Sequence, residues 1–154
     1  MKGLTPRQQL AGFINKFDPA VASLTRAVVA RMRKRLPGAI ELVYDNYNAL
    51  AIGFGPSERA SEAVFSIAVF PRWPSLFFLK GATLPDPHKL LRGSGKVVRH
   101  IVIDDAAILD RPAVRSLMKE ALKRADVPMN CTGPGRIVIK SISAKQRRRR
   151  PASK

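Results

Sequence analysis

Between Ile40 and Ile103 the chain strings together apolar runs of strand length, and no crossover helix is read in the gaps between them. Ile40, Leu42 and Tyr44 alternate with Glu41, Val43 and Asp45. Leu50–Phe54, Val64–Phe70, Leu76–Leu79 and Val97–Ile103 follow, separated by segments rich in Gly, Pro and Ser such as 55–60 and 71–74. Runs of this length between such breakers read as strands. Parallel neighbours need a connection of a dozen or more residues, usually helical, so short links favour antiparallel pairing. A last run, Arg136–Ile142, follows Thr132-Gly133-Pro134-Gly135. The pattern predicts one antiparallel sheet of five or six strands.

The flanks have the helical period instead. Thr5-Pro6, Asp18-Pro19 and Asp110-Arg111-Pro112 each put a capping side chain ahead of a proline. Proline suits a first helical turn because its missing N–H has no partner to lose there. Helices are expected over Arg7–Phe17, Pro19–Leu36 and Arg111–Ala125. Their apolar stripes are Leu10/Phe13/Ile14/Phe17, Val21/Leu24/Val28/Met32/Leu36 and Val114/Leu117/Met118/Ala121/Leu122. A one-sided helix must lie on something apolar. The fold class is therefore α+β, with the sheet packed against two N-terminal helices and one C-terminal helix.

One domain of residues 1–144 with a basic tail, 145–154, accounts for the length of 154 residues. The tail is too polar to bury itself and is expected to be disordered when free. Charge is the dominant compositional signal: 28 Lys plus Arg against 11 Asp plus Glu, a formal net of +17. Without the six basic residues of 145–154 the balance is still 22 against 11, so the body is basic too. Such a field draws polyanions. No apolar stretch reaches the roughly 18–20 residues of a membrane helix, and no signal-peptide pattern follows Met1–Gln9, so no membrane insertion is expected. The single cysteine, Cys131, cannot form an internal disulfide and suits a reducing, cytoplasmic setting.

The 80–99 loop concentrates the candidate binding chemistry. Lys80, His88, Lys89, Arg92, Lys96 and Arg99 share it with Gly81, Gly93 and Gly95. Glycines let backbone N–H groups approach an anion, and cations add charge-assisted hydrogen bonds. Lys80, Arg92, Lys96 and Arg99 are the expected charge contacts, and Gly81, Gly93 and Gly95 the points of backbone access. Arg92-Gly-Ser-Gly-Lys96 is not a phosphate-binding P-loop: it lacks the spacing and the Lys-Ser/Thr pair, and it leads into a strand. Arg147, Arg148, Arg149 and Arg150 are the expected nucleic-acid contacts, aided by Arg26, Arg33 and Lys34 of the second helix. Phe65, Phe70, Trp73, Phe77 and Phe78 cluster on a hairpin and are mostly assigned to core. Trp73, between Pro71 and Pro74, is expected to be partly exposed.

Pro37–Tyr47 after two helices, the Ser66–Phe78 strand pair, and Lys80-Gly81 … Leu84-Pro85-Asp86 … Leu91-Arg92-Gly93-Ser94-Gly95-Lys96 … Arg99-His100-Ile101 together resemble the YdhG-like domain-of-unknown-function family (family 1801). The resemblance covers residues 8–125, and the stretch 135–147 is like the tail of some members. It implies an α+β fold, with frataxin-like character for some members and no settled activity. The chain departs from the family at Asp45-Asn46-Tyr47-Asn48, where members carry small residues.

Catalysis and metal binding find little support. Two histidines, His88 and His100, and one cysteine make no recognisable ligand set, so neither metal nor cofactor is expected. Cys131 has no histidine partner in the sequence pattern, and no Gly-x-Ser-x-Gly elbow occurs. The chain is read as a non-enzyme. The first functional reading is a small binding module for an anionic ligand: a phosphate- or carboxylate-bearing molecule, or nucleic acid. One alternative is a frataxin-like iron handler using Asp104 and Asp105, although iron donors want an acidic surface. The other is a non-catalytic partner-binding protein, for example a homodimer through exposed sheet.

Overall fold

The computed structural model describes residues 3–129 and 133–151. Helix α1 (Pro6–Ile14) opens with a reciprocal capping box: Gln8 N–H donates to Thr5 Oγ1 and Thr5 N–H to Gln8 Oε1. This satisfies two otherwise orphaned donors. Helix α2 (Pro19–Arg35) and helix α3 (Pro112–Lys123) also carry proline in the first turn. Their expected caps work differently. Asp18 makes no side-chain cap bond. Asp110 ends a 3-10 turn, Ala106–Asp110, and its carboxylate pairs with Arg31 and Arg35 of α2 at 3.1 and 3.0 Å. Tertiary pairing has displaced the local cap, and it pins the segment leading into α3 against α2.

Six strands form one sheet: β1 (Ile40–Asp45), β2 (Leu50–Gly55), β3 (Phe65–Val69), β4 (Pro74–Phe78), β5 (Arg99–Val102) and β6 (Arg136–Ile142). Their order is β5-β4-β3-β2-β1-β6. The β1-to-β5 meander is antiparallel throughout, but β6 pairs parallel to β1. The all-antiparallel expectation therefore fails at the last strand. The reason is α3, which carries the chain back along the sheet and supplies the crossover that a parallel pair needs. The meander has no such helix: its links as far as β4 are short, and β4 and β5, joined through the long 79–98 segment, still pair antiparallel.

The helices cover one face. Val43, Ile52, Ile67, Leu76 and Ile101 lie in register across five strands and are all buried beneath them. Phe65 and Phe78 meet edge-to-face, 5.6 Å between ring centroids, in the next row. Strand alternation puts Glu41 and Asp45 on this same covered face. Glu41 takes a bidentate ion pair from Arg33 of α2, and Asp45 is fully buried. Residues 56–64 fold over part of the opposite face, where Leu42 is also fully buried.

The final segment runs on past β6. Residues 146–151 lie against the end of the sheet, and 152–154 of the expected tail lie outside the described residues. Among the described residues no helix is long and apolar enough to cross a membrane.

Candidate anion-binding cleft

The end of the sheet is built from two tight turns and the segment that crosses them. Residues 46–49 join β1 to β2. Phe70–Trp73 join β3 to β4, closed by Phe70 N–H donating to Trp73 O at 3.0 Å. Beyond β6, Ser143 N–H and Gln146 Nε2 both donate to Asp45 O at 2.9 Å, and Arg147 N–H donates to Tyr47 O at 2.8 Å. The chain is thereby laid along the first turn one contact after another.

Arg149 turns inward. It is 6% exposed, and it pairs with Asp45 Oδ1 at 3.0 Å. It also donates to the carbonyls of Asn46 and Tyr47 and sits 5.7 Å from the ring centre of Phe17. Lys16 Nζ takes the other carboxylate oxygen of Asp45 at 2.6 Å and reaches Gln146 Oε1 at 2.9 Å. Burial by itself pushes the Asp45 carboxyl up. Hydrogen bonds from Lys16, Gln146 and Arg149 outweigh it and hold the group below its ordinary value. Arg149, expected to contact nucleic acid, is thus a structural anchor and cannot reach an external ligand.

Its neighbours face outward. Arg147, Arg148 and Arg150 join Arg72 of the β3–β4 turn around an open concavity of about 670 Å³, with Asn48, Phe70, Pro71 and Pro151 completing the wall. Arg147 stands 5.8 Å from the ring centre of Tyr47. Arg150 donates to Lys16 O at 3.2 Å and lies 3.8 Å from Asp18. Arg72 and Arg148 have no carboxylate partner among the described residues. Four guanidinium groups thus surround one space with no acid in its wall.

The other concavities are less cationic. One of about 430 Å³ is lined by Lys80 and Arg124 but also by Glu62 and Asp126. Its cations are already engaged, Lys80 with Asp126 at 2.6 Å and Arg124 with Glu120 at 3.0 Å. Another, about 520 Å³, holds Lys89, Arg92 and Arg111 against Asp104. A third, about 620 Å³, holds Arg7, Arg33 and Arg136 against Glu41.

The 80–99 loop does not assemble the expected pocket. Lys80 and Arg92 line different cavities. Arg99 folds back on its own loop, donating to Gly95 O at 2.6 Å and Val98 O at 2.8 Å. Lys96 is exposed and lines none of these cavities. Gly93 sits at φ +120, and a Cβ on Gly95 would meet nothing. Gly81 serves packing: a Cβ there would lie 2.8 Å from Arg99 Cβ and 2.9 Å from Phe78 Cβ. Gly81→Ala should therefore cost about 1–3 kcal/mol through overcrowding. A thermal melt lowered by several degrees would show it; an unchanged melt would return Gly81 to the list of residues kept for a ligand.

His100 stacks on Phe77 at 5.0 Å on the face away from the helices. Burial, aided by the charge of Arg92, holds its pKa down. Asp105 accepts from Ala107 N–H as a turn cap, and Asp104 stands among cations. Among the described residues no three His, Cys, Asp or Glu side chains gather as a metal site. Cys131 lies outside the described residues. No family model matches the chain, and no curated protein or solved structure matches it significantly.

Sequence reading missed Arg72, Asn48 and the inward role of Arg149. Arg72 had a signal, since Pro71-Arg72-Trp73-Pro74 projects side chains from a rigid turn. Nothing local in the sequence connects that turn to residues 147–150.

Proposed function

We propose that this chain is a non-catalytic binding module of YdhG-like type for a phosphate-bearing polyanion, held in the arginine cleft rather than on the 80–99 loop. What supports the reading is the set Arg72, Arg147, Arg148 and Arg150 around one concavity without a carboxylate in its wall. Guanidinium groups present paired donors that match phosphate oxygens, and such charge-assisted bonds are about twice as strong as neutral ones. The buried Asp45–Arg149 pair fixes the backbone between Arg148 and Arg150, so part of the ordering cost of binding is met in the free protein. The surplus of positive charge over the rest of the body speeds encounter.

Titration with fluorescent inorganic polyphosphate at several salt concentrations tests this. Affinity should fall steeply with salt. Arg72→Ala with Arg148→Ala should flatten the log–log salt dependence by about 1 for each arginine removed. An unchanged slope in the double variant would place the binding elsewhere. Nothing in the surroundings of Asp104 and Asp105 favours iron handling over this reading.

A further inference from the structure

We propose that the polymer taken by the arginine cleft is single-stranded nucleic acid, with Tyr47 and Trp73 as base-stacking platforms beside it; the inference rests on the cleft being the anion site. The chain has seven Phe, two Tyr and one Trp. Among them only Tyr47, at 48%, and Trp73, at 44%, are exposed; the others are buried or partly so. Both belong to the two turns that form the cleft. Tyr47 precedes Asn48 of the cleft wall and lies under Arg147. Trp73 follows Arg72.

Exposing large rings carries a hydrophobic penalty, and random placement would scatter them. Here one ring lies under Arg147 of the cleft and the other adjoins Arg72 in the turn, beside a concavity whose wall holds four arginines and no acid. A cationic groove with aromatic platforms is the arrangement that grips a single strand: arginines follow the phosphates and rings stack on bases. A duplex hides its base faces, and polyphosphate has none, so neither could use Tyr47 or Trp73. Asn48, with one donor and one acceptor group in the wall, can meet a base edge.

The experiment measures anisotropy of labelled single-stranded oligonucleotides, the corresponding duplex, and polyphosphate of matched charge, all with the intact chain. Trp73, the single tryptophan, gives a second readout through its fluorescence. The single strand should bind tighter than either competitor and should quench Trp73. Tyr47→Ala and Trp73→Ala should each weaken single-strand binding about ten- to a hundred-fold; Trp73→Ala should leave polyphosphate affinity unchanged, and Tyr47→Ala, whose ring also supports Arg147, should lower it far less than single-strand affinity. Trp73→Phe should restore part of the loss, which separates stacking from damage to the turn. Equal affinity for single strand and polyphosphate, with no quenching, overturns the nucleic-acid assignment and leaves the anion cleft intact. Absence of binding to every polyanion overturns both.

Discussion

Asp45→Asn should lower stability by about 3–5 kcal/mol, because it removes the carboxylate that two cations share at a fully buried position. For a chain of this size that is a fall in Tm of roughly 6–20 °C. The energy is lost mainly because Arg149 would remain buried beside Phe17 without its counter-charge. Arg149 can relieve this by leaving, and residues 146–151 then come away from the β1–β2 turn. The variant should therefore also bind polyanions more weakly, although it alters no residue of the cleft wall. Adding Arg149→Gln to Asp45→Asn should recover part of the stability and none of the binding. A Tm within about 2 °C of the parent would show that the buried pair does not hold the segment.

The pH dependence follows from the same group. The folded-state pKa of Asp45 is depressed, so the folded form binds its proton less readily than the unfolded chain does. Its stabilisation is complete above the ordinary aspartate value near 4 and is lost as pH falls through the lower folded value. The stability gap between the parent and Asp45→Asn should close in that acid window and stay constant above about pH 5.

Arg72→Glu combined with Arg148→Glu should weaken polyanion binding roughly a thousandfold near physiological salt. The pair changes the cleft by four units of charge, and each unit at contact distance in water is worth about 1 kcal/mol. Both side chains are exposed and without a carboxylate partner among the described residues, so the melt should barely move. The same double reversal made at Lys96 and Arg99 is the control, and its effect should be no more than the modest one of net charge. Equal losses at the two places would mean that the overall field, not the cleft, does the binding.

These expectations depend on contacts that sequence periodicity does not encode. Alternation and proline punctuation act locally, and they correctly placed three helices and the strands of the meander. Asp110 shows where that logic stops. Next to Arg111-Pro112 it reads as a helix cap, but Arg31 and Arg35, distant in sequence, take its carboxylate. Residues 146–151 meet the same limit of a local reading. Their composition forbids self-burial, and that remains true; what holds them is an acid elsewhere. Asp45 did carry a signal, since it shares the covered strand face with Val43, and a carboxylate there needs a partner. Which cation would supply it, Lys16 from the end of α1 or Arg149 from beyond β6, only the tertiary structure shows. The 80–99 loop shows the opposite case: Lys80 and Arg92, close in sequence, line different cavities, and Arg99 is spent on its own loop.

The parallel placement of β6 has a consequence for when the cleft exists at all. Three of its four arginines follow that edge strand, whose partner β1 was laid down roughly a hundred residues earlier in the chain, so closing that pairing is the costliest loop in the topology. Detachment of the edge would empty the cleft of most of its charge while the rest of the sheet stayed folded. Any polymer gripped there must in turn hold the edge closed, so grip and closure are linked by mass action.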